Sequence, residues 1–173
     1  MYKRQGLKLG YLALTPRKSV SDSDATVNLG SSAARLKDLY LSGGVYLGGT
    51  GAANKLDDYE EGTWTPTVIT GAASLVFVSA TYTKVGDKVT VWAYVNSLVT
   101  PNSSPVVVGG LPFTSKTNQW AVGALETSAA GTGLMRISSA STTMAAYRSG
   151  LALDALIGTD GASHLIFSVT YSV

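Results

Sequence analysis

The chain has 173 residues, of which 45% are hydrophobic, so it is long enough and apolar enough to bury a core. Thirteen Lys and Arg residues against eleven Asp and Glu residues give a formal net charge of +2, which excludes a polybasic nucleic-acid binder. The absence of Cys and the single histidine, His164, exclude disulfides, thiolate metal sites and multi-histidine metal sites. We therefore assign no metal-site residue and expect no cofactor.

The composition favours β-structure. Charged residues make up only 14% of the chain, against about 25% in an ordinary soluble domain. Gly occurs 19 times, and Ser and Thr are abundant, which suits strands and tight turns better than helices. So few charges also indicate a surface that is partly covered by assembly.

The N-terminal residues predict one strand over residues 7–14 and a polar loop over residues 19–26. Lys8 and Gly10 interrupt the apolar stretch, so we expect no signal peptide. No apolar run approaches the roughly 20 residues that cross a bilayer, and we expect no membrane insertion.

Residues 27–62 contain very short elements. Ser32 is a candidate cap for a single helical turn that ends near Lys37 or Asp38. Two three-residue strands follow at residues 39–41 and 45–47, with glycine turns after each. Strands this short bury little by themselves, and they make sense if the same strands of other chains complete the core.

The acidic residues are concentrated in one stretch. The spacing of Asp57 and Glu60, with Gly62 behind them, predicts a single capped turn, and we place a domain boundary near Gly62. Asp58 and Glu61 complete a cluster that is able to hold a hard cation, although its spacing is not that of an EF-hand. A solvated turn is the favoured interpretation, and ion binding stays open.

No catalytic or nucleotide-binding motif is complete. Residues 49–55 miss the phosphate loop, because Asn54 precedes the lysine and Leu56 follows it. The chain lacks the Gly-x-Ser-x-Gly motif that carries the nucleophile of a Ser-His-Asp triad. A surface residue is therefore the favoured interpretation of His164. Three further carboxylates are scattered among apolar residues: Glu126, Asp154 and Asp160. We assign no catalytic residue and expect no enzyme.

The remainder, residues 63–173, reads as many short strands. A strand over residues 75–84 turns at Gly86-Asp87 and pairs with a strand over residues 89–98, in which Val89, Val91, Ala93 and Val95 share one face. Further short strands are predicted at residues 106–108, 119–127, 134–138 and 142–148, and the alternation is clearest over residues 164–173. Strands at such spacing favour an all-β sandwich or jelly roll.

Two strings of residues resemble the distal part of tailed-bacteriophage tail fibres and related virion fibres. They are Lys-Asp-Leu-Tyr-Leu-Ser-Gly at residues 37–43 and Asp-Tyr-Glu-Glu-Gly-Thr-Trp-Thr-Pro at residues 58–66. Residues 82–89 and 110–113 also resemble the β-sandwich tip that follows this segment in such fibres. The resemblance implies a homotrimer that assembles in the host cytoplasm, with an intertwined stalk at residues 1–62 and a sandwich tip at residues 63–173.

The same resemblance implies a function. The N-terminal segment joins other virion proteins, and the tip attaches the phage to a bacterial surface glycan or protein. Fibre tips bind through loops on a rigid scaffold, so the candidate receptor-binding residues lie in the two most polar loop-like stretches. These residues are Asn102, Ser103, Ser104, Asn118, Gln119 and Trp120.

Two alternatives remain for the function. One is a capsid fibre or decoration protein with no receptor role. The other is a polysaccharide-cleaving tailspike, although no repeat of 20 to 50 residues is present to build the solenoid of such enzymes. The aromatic residues also allow two interpretations, sugar stacking or interface packing, and interface packing is favoured for Trp92 and Tyr94, which share a strand face.

Overall fold

The computed structural model describes residues 28–128, 131–148 and 164–173, together with the backbone of four two-residue strands before residue 28. The chain forms two compact units, Met1–Ser42 and Gly43–Val173. The described residues are all-β, with one short 3-10 helix and one large curled antiparallel sheet. The all-β prediction is therefore confirmed.

The first unit contains two small antiparallel pairs. Strand β1 (Lys8–Leu9) pairs with β2 (Leu14–Thr15), and β3 (Arg17–Lys18) pairs with β4 (Ser21–Asp22). The single strand expected over residues 7–14 is wrong, because Lys8 and Leu9 pair in antiparallel register with Thr15 and Leu14. The loop expected over residues 19–26 contains β4, and its other residues lie outside the described part.

The helical turn expected after Ser32 is also absent. The hydroxyl oxygen of Ser31 accepts a hydrogen bond from the Ala34 amide at 3.0 Å, and the Ser31 amide donates to the Ala34 carbonyl at 2.9 Å. These reciprocal bonds close a tight turn instead, because a lone helical turn fixes many dihedral angles for one bond. Residues 39–41 form no strand, since no described segment of the chain pairs with them.

A small hairpin opens the second unit. Strand β5 (Val45–Tyr46) pairs with β6 (Lys55–Leu56), and the 3-10 helix Ala52–Asn54 lies in the connection between them. The side-chain amide of Asn54 donates to the Leu47 carbonyl at 3.1 Å and holds the connection closed. The second predicted short strand is confirmed at Val45 and Tyr46.

Nine strands form the large sheet. In chain order they are β7 (Tyr59–Thr63), β8 (Thr67–Thr70), β9 (Ala72–Val85), β10 (Lys88–Pro101), β11 (Val107–Gly109), β12 (Ala121–Thr127), β13 (Gly131–Ile137), β14 (Met144–Arg148) and β15 (Leu165–Ser172). Their order across the sheet is β7-β9-β10-β15-β12-β13-β14-β11-β8.

The order of the strands requires the sheet to curl. Strand β8 lies at one edge, yet Gly71 alone joins it to β9, which is second from the other edge. Gly71 has a φ of +95°, and a Cβ at this position would lie 2.7 Å from the Cα of Val106. Glycine is needed here because the backbone angle and the close approach both disfavour a side chain.

The core lies on the inner face of the curled sheet. Val89, Val91, Ala93 and Val95 of β10 are each 0% exposed, as their alternation predicts. Strand β15 contributes its own alternate residues, Leu165, Phe167, Val169 and Tyr171. The predicted hairpin is also confirmed, since β9 and β10 pair on either side of Gly86 and Asp87.

The acidic stretch does not form the capped turn expected over residues 57–62. It forms β7, which pairs with β9 and places Glu60 opposite Lys84. Side chains reinforce this pairing, because the Tyr82 hydroxyl donates to Glu60 and the Lys84 ammonium pairs with Asp58. These cross-strand contacts favour an extended backbone over a turn. The domain boundary near Gly62 stays a prediction.

Within the described residues, no helix is long and apolar enough to cross a membrane.

Candidate functional site

The loop that carries Asn118, Gln119 and Trp120 is held by backbone hydrogen bonds. The Lys116 amide donates to the Ser172 carbonyl at 2.8 Å, and the Asn118 amide donates to the Ser139 hydroxyl at 2.6 Å. Asn118 has a φ of +61°, a left-handed conformation that Asn tolerates better than Ala. An alanine at position 118 would therefore strain the loop as well as remove an amide.

Trp120 leads from this loop into β12, and its ring is 62% exposed. The guanidinium carbon of Arg136 lies 5.1 Å from the centre of the Trp120 ring and 4.6 Å from the centre of the Tyr147 ring. An Arg136 nitrogen also donates to the Tyr147 hydroxyl at 2.5 Å. These contacts fix a cation beside an exposed aromatic ring, and sequence reasoning missed this role of Arg136.

A surface depression of about 290 Å³ lies next to Trp120. Its lining includes Lys88, Gln119, Trp120, Val122, Thr170 and Ser172. The pairing of β10 with β15 brings Lys88 opposite Ser172, and the Lys88 ammonium donates to the Ser172 hydroxyl at 2.6 Å. Two predicted site residues, Gln119 and Trp120, thus share a depression with polar groups from two other strands.

The Asp87 carboxylate lies between two lysines. One of its oxygens is 3.3 Å from the Lys88 ammonium and 4.0 Å from the Lys116 ammonium. All three side chains are about half exposed. Arg136 adds a third cation at this end of the sheet, where Lys84 and Asp58 also form a separate ion pair.

The other predicted stretch, Asn102 to Ser104, lies at the far end of β10. Lys88 begins this fourteen-residue strand and Pro101 ends it, so the stretch follows the end of β10 that is distant from Lys88. The Asn102 amide donates to the Gly71 carbonyl at 3.1 Å, and its side-chain oxygen accepts from the Ser104 amide at 2.9 Å. Ser103 is exposed between them. The structure therefore separates the six candidate residues into two groups.

The carboxylates of the acidic stretch are divided among different partners. Asp57 pairs with Lys55 at 2.8 Å, Asp58 pairs with Lys84, and Glu61 accepts from the Tyr59 hydroxyl at 2.7 Å. The hydrogen bond from Lys55 lowers the pKa of Asp57 below its usual value. Within the described ranges, no group of three or more His, Asp or Glu side chains is arranged to hold a metal ion.

The remaining candidates from the sequence, the lone histidine, the scattered carboxylates and Trp92, lie in different parts of the chain. The His164 ring lies 3.9 Å from a Glu126 oxygen, a contact that counts as an ion pair only when the histidine is protonated. Asp154 and Asp160 lie outside the described residues. Trp92 is 36% exposed on the outer face of β10, and its carbonyl accepts from the indole nitrogen of Trp64 at 3.4 Å.

Tyr171 lies under the depression and gives an expected pH dependence. Its hydroxyl donates to the Phe113 carbonyl at 3.0 Å, and burial raises the pKa of Tyr171 to about 12. Between pH 10 and 12 the unfolded chain loses this proton while the folded chain keeps it, so stability falls as pH rises through this window. We expect the urea midpoint of Tyr171→Phe to fall less steeply than that of the wild type above pH 10. Parallel curves would contradict this assignment.

Comparisons with known proteins find no matching family model, no matching curated protein and no matching solved structure.

Proposed function

We propose that the chain is a structural virion fibre protein of a tailed bacteriophage, assembled as a homotrimer in the host cytoplasm. Its N-terminal segment joins other virion proteins, and its C-terminal tip attaches the virion to a bacterial surface glycan or protein. The observation that carries this proposal is the exposure of large apolar side chains between Leu29 and Tyr59.

Nearly every large apolar side chain in this segment is exposed, at 40% to 88%, in the single chain. The set is Leu29, Leu36, Leu39, Tyr40, Leu41, Tyr46, Leu47, Leu56 and Tyr59. A soluble monomer rarely leaves so much apolar surface in water, and two-residue strands are too short to be stable without further packing. Partner chains that wind around this segment would bury these side chains.

The first string that resembles virion fibres lies within this exposed segment, and the second begins where the segment ends. Residues 37–43 contain three of the exposed side chains, and residues 58–66 begin the strand that enters the large sheet. Sequence resemblance and the need for further burial therefore point to the same residues at 37–43. An intertwined trimeric stalk satisfies both.

The described tip suits attachment. Its curled sheet buries side chains from both halves in one core, with Val91 and Phe167 from one half and Met135 and Ile137 from the other, which supports a sandwich-like tip. A rigid sheet that presents the Trp120 loop and the Asn102 loop at different ends offers positions for recognition.

Cell binding tests the proposed attachment. We expect fluorescently labelled protein to bind the cells of some bacterial strains in a panel and to leave purified surface polysaccharide intact. Release of reducing ends from the polysaccharide would support the tailspike enzyme instead. A trimer that binds no strain, and that immunogold labelling places on a phage capsid, would support a decoration protein.

A further inference from the structure

The depression beside Trp120 has the features of a saccharide site. The ring of Trp120 is 62% exposed and Val122 beside it is 60% exposed, so an apolar platform faces solvent at the rim. Gln119, Thr170 and Ser172 supply amide and hydroxyl groups in the same depression. Sugars combine an apolar ring face with many hydroxyl groups, and this pairing of surfaces matches both.

Lys88 lines the depression and Lys116 and Arg136 lie beside it, and these cations favour a ligand with a negative charge. The Asp87 carboxylate is shared between the ammonium groups of Lys88 and Lys116, so one carboxylate faces two cations. Arg136 adds a third cation against the Trp120 ring. A ligand carboxylate can approach the two lysines and neutralise the positive charge that Asp87 alone does not balance.

The site is held in place before any ligand arrives. Lys88 is fixed by its bond to Ser172, and Arg136 is fixed by its bond to the Tyr147 hydroxyl. The Lys116 backbone is bonded to the Ser172 carbonyl at 2.8 Å. Groups that are ordered in advance lose less entropy on binding, which favours recognition at a shallow site.

We propose that this depression binds a saccharide unit that carries a carboxylate, such as a uronic or sialic acid. The sugar ring packs against Trp120, and the sugar carboxylate faces Lys88 and Lys116. This inference rests on the proposed attachment function and names the class of receptor that the tip recognises.

The test uses three anionic probes with the full-length protein: oligogalacturonate, oligomannuronate and oligosialic acid. Binding is followed by isothermal titration calorimetry, and each probe is compared with its methyl ester, which has the same rings and no charge. We expect at least one acid to bind at least tenfold more tightly than its ester, with an affinity that falls as salt is added.

Two variants locate the binding. Lys116→Gln is expected to lower the affinity for the acid about fivefold, and Trp120→Ala is expected to lower it tenfold or more. Lys55→Gln is the charge-matched control, because Lys55 pairs with Asp57 on the small hairpin, and it is expected to bind as the wild type does. Asn102→Ala, at the far end of β10, is expected to bind unchanged as well.

Equal affinity for acid and ester, or no binding of any acid at millimolar concentration, would overturn this inference. The inference would also be overturned if neither Lys116→Gln nor Trp120→Ala lowered the affinity for the acid. If the labelled protein still binds bacterial cells in any of these cases, the attachment function stands and only this site is wrong. A folded monomer that binds no cells would instead contradict the proposed function itself.

Discussion

Replacement of Phe167 by alanine is expected to destabilise the large curled sheet by about 3–5 kcal/mol. Among the described residues Phe167 is the largest fully buried side chain, with 1% exposure, and it lies opposite Ala93 on β10 and Leu125 on β12. The change leaves a cavity where the Phe167 ring was. The small Ala93 side chain cannot fill this cavity, and the strands cannot close it because they are paired with each other in the sheet. The measurement is urea unfolding at a fixed protein concentration, followed by circular dichroism.

Val78→Ala is the matched control for this change. Val78 lies on β9 with 57% exposure, so we expect its replacement to cost about 1 kcal/mol or less. A loss below about 1 kcal/mol for Phe167→Ala would show that the inner face of β15 is not the core.

Replacement of Gly123 by alanine is the second change with a large expected effect. A Cβ on Gly123 would overlap the Ser168 carbonyl oxygen and lie 2.7 Å from the Cα of Val169. Both obstacles belong to the backbone of β15, so β12 has to shift away from its partner and lose ladder bonds. We expect a loss of about 2–4 kcal/mol, measured as a lower urea midpoint.

Gly51→Ala provides the comparison. Gly51 has a φ of −74° and a ψ of 155°, and the nearest atom to an added Cβ is the Asn54 side-chain oxygen at 3.9 Å. Alanine adopts these angles without strain, so the midpoint should change little or rise slightly. Equal losses for the two glycines would mean that β12 and β15 are not in close contact at Gly123.

Local patterns explain which parts of the fold could be predicted from the sequence. The hairpin of β9 and β10 follows from a Gly-Asp turn between apolar alternations, and β15 follows from an alternation that the buried Phe167 and Val169 confirm. Each of these two patterns involves residues that are close together in the sequence. Strand β7 has no such signal, because its acidic residues become extended only when Lys84 and Tyr82 of β9 lie beside them.

The candidate site was predictable only in part. An exposed Trp120 after a polar stretch could be predicted from the sequence, and its 62% exposure agrees. Lys88 could not be assigned to the same place, because it reaches the depression through a pairing with Ser172, 84 positions later. Asn102 follows the end of β10 that is distant from Lys88, and no sequence pattern indicates that Asn102 lies outside the depression.

We propose that two further copies of the chain bury the exposed apolar side chains between Leu29 and Tyr59. Multi-angle light scattering tests it directly. We expect a mass three times the 17.9 kDa of one chain, and a shift to one chain mass for Leu39→Asp combined with Tyr46→Asp. Val122→Asp, which changes an exposed residue of the large sheet, should keep the trimeric mass. A stable, folded wild-type protein of 17.9 kDa would contradict the claim.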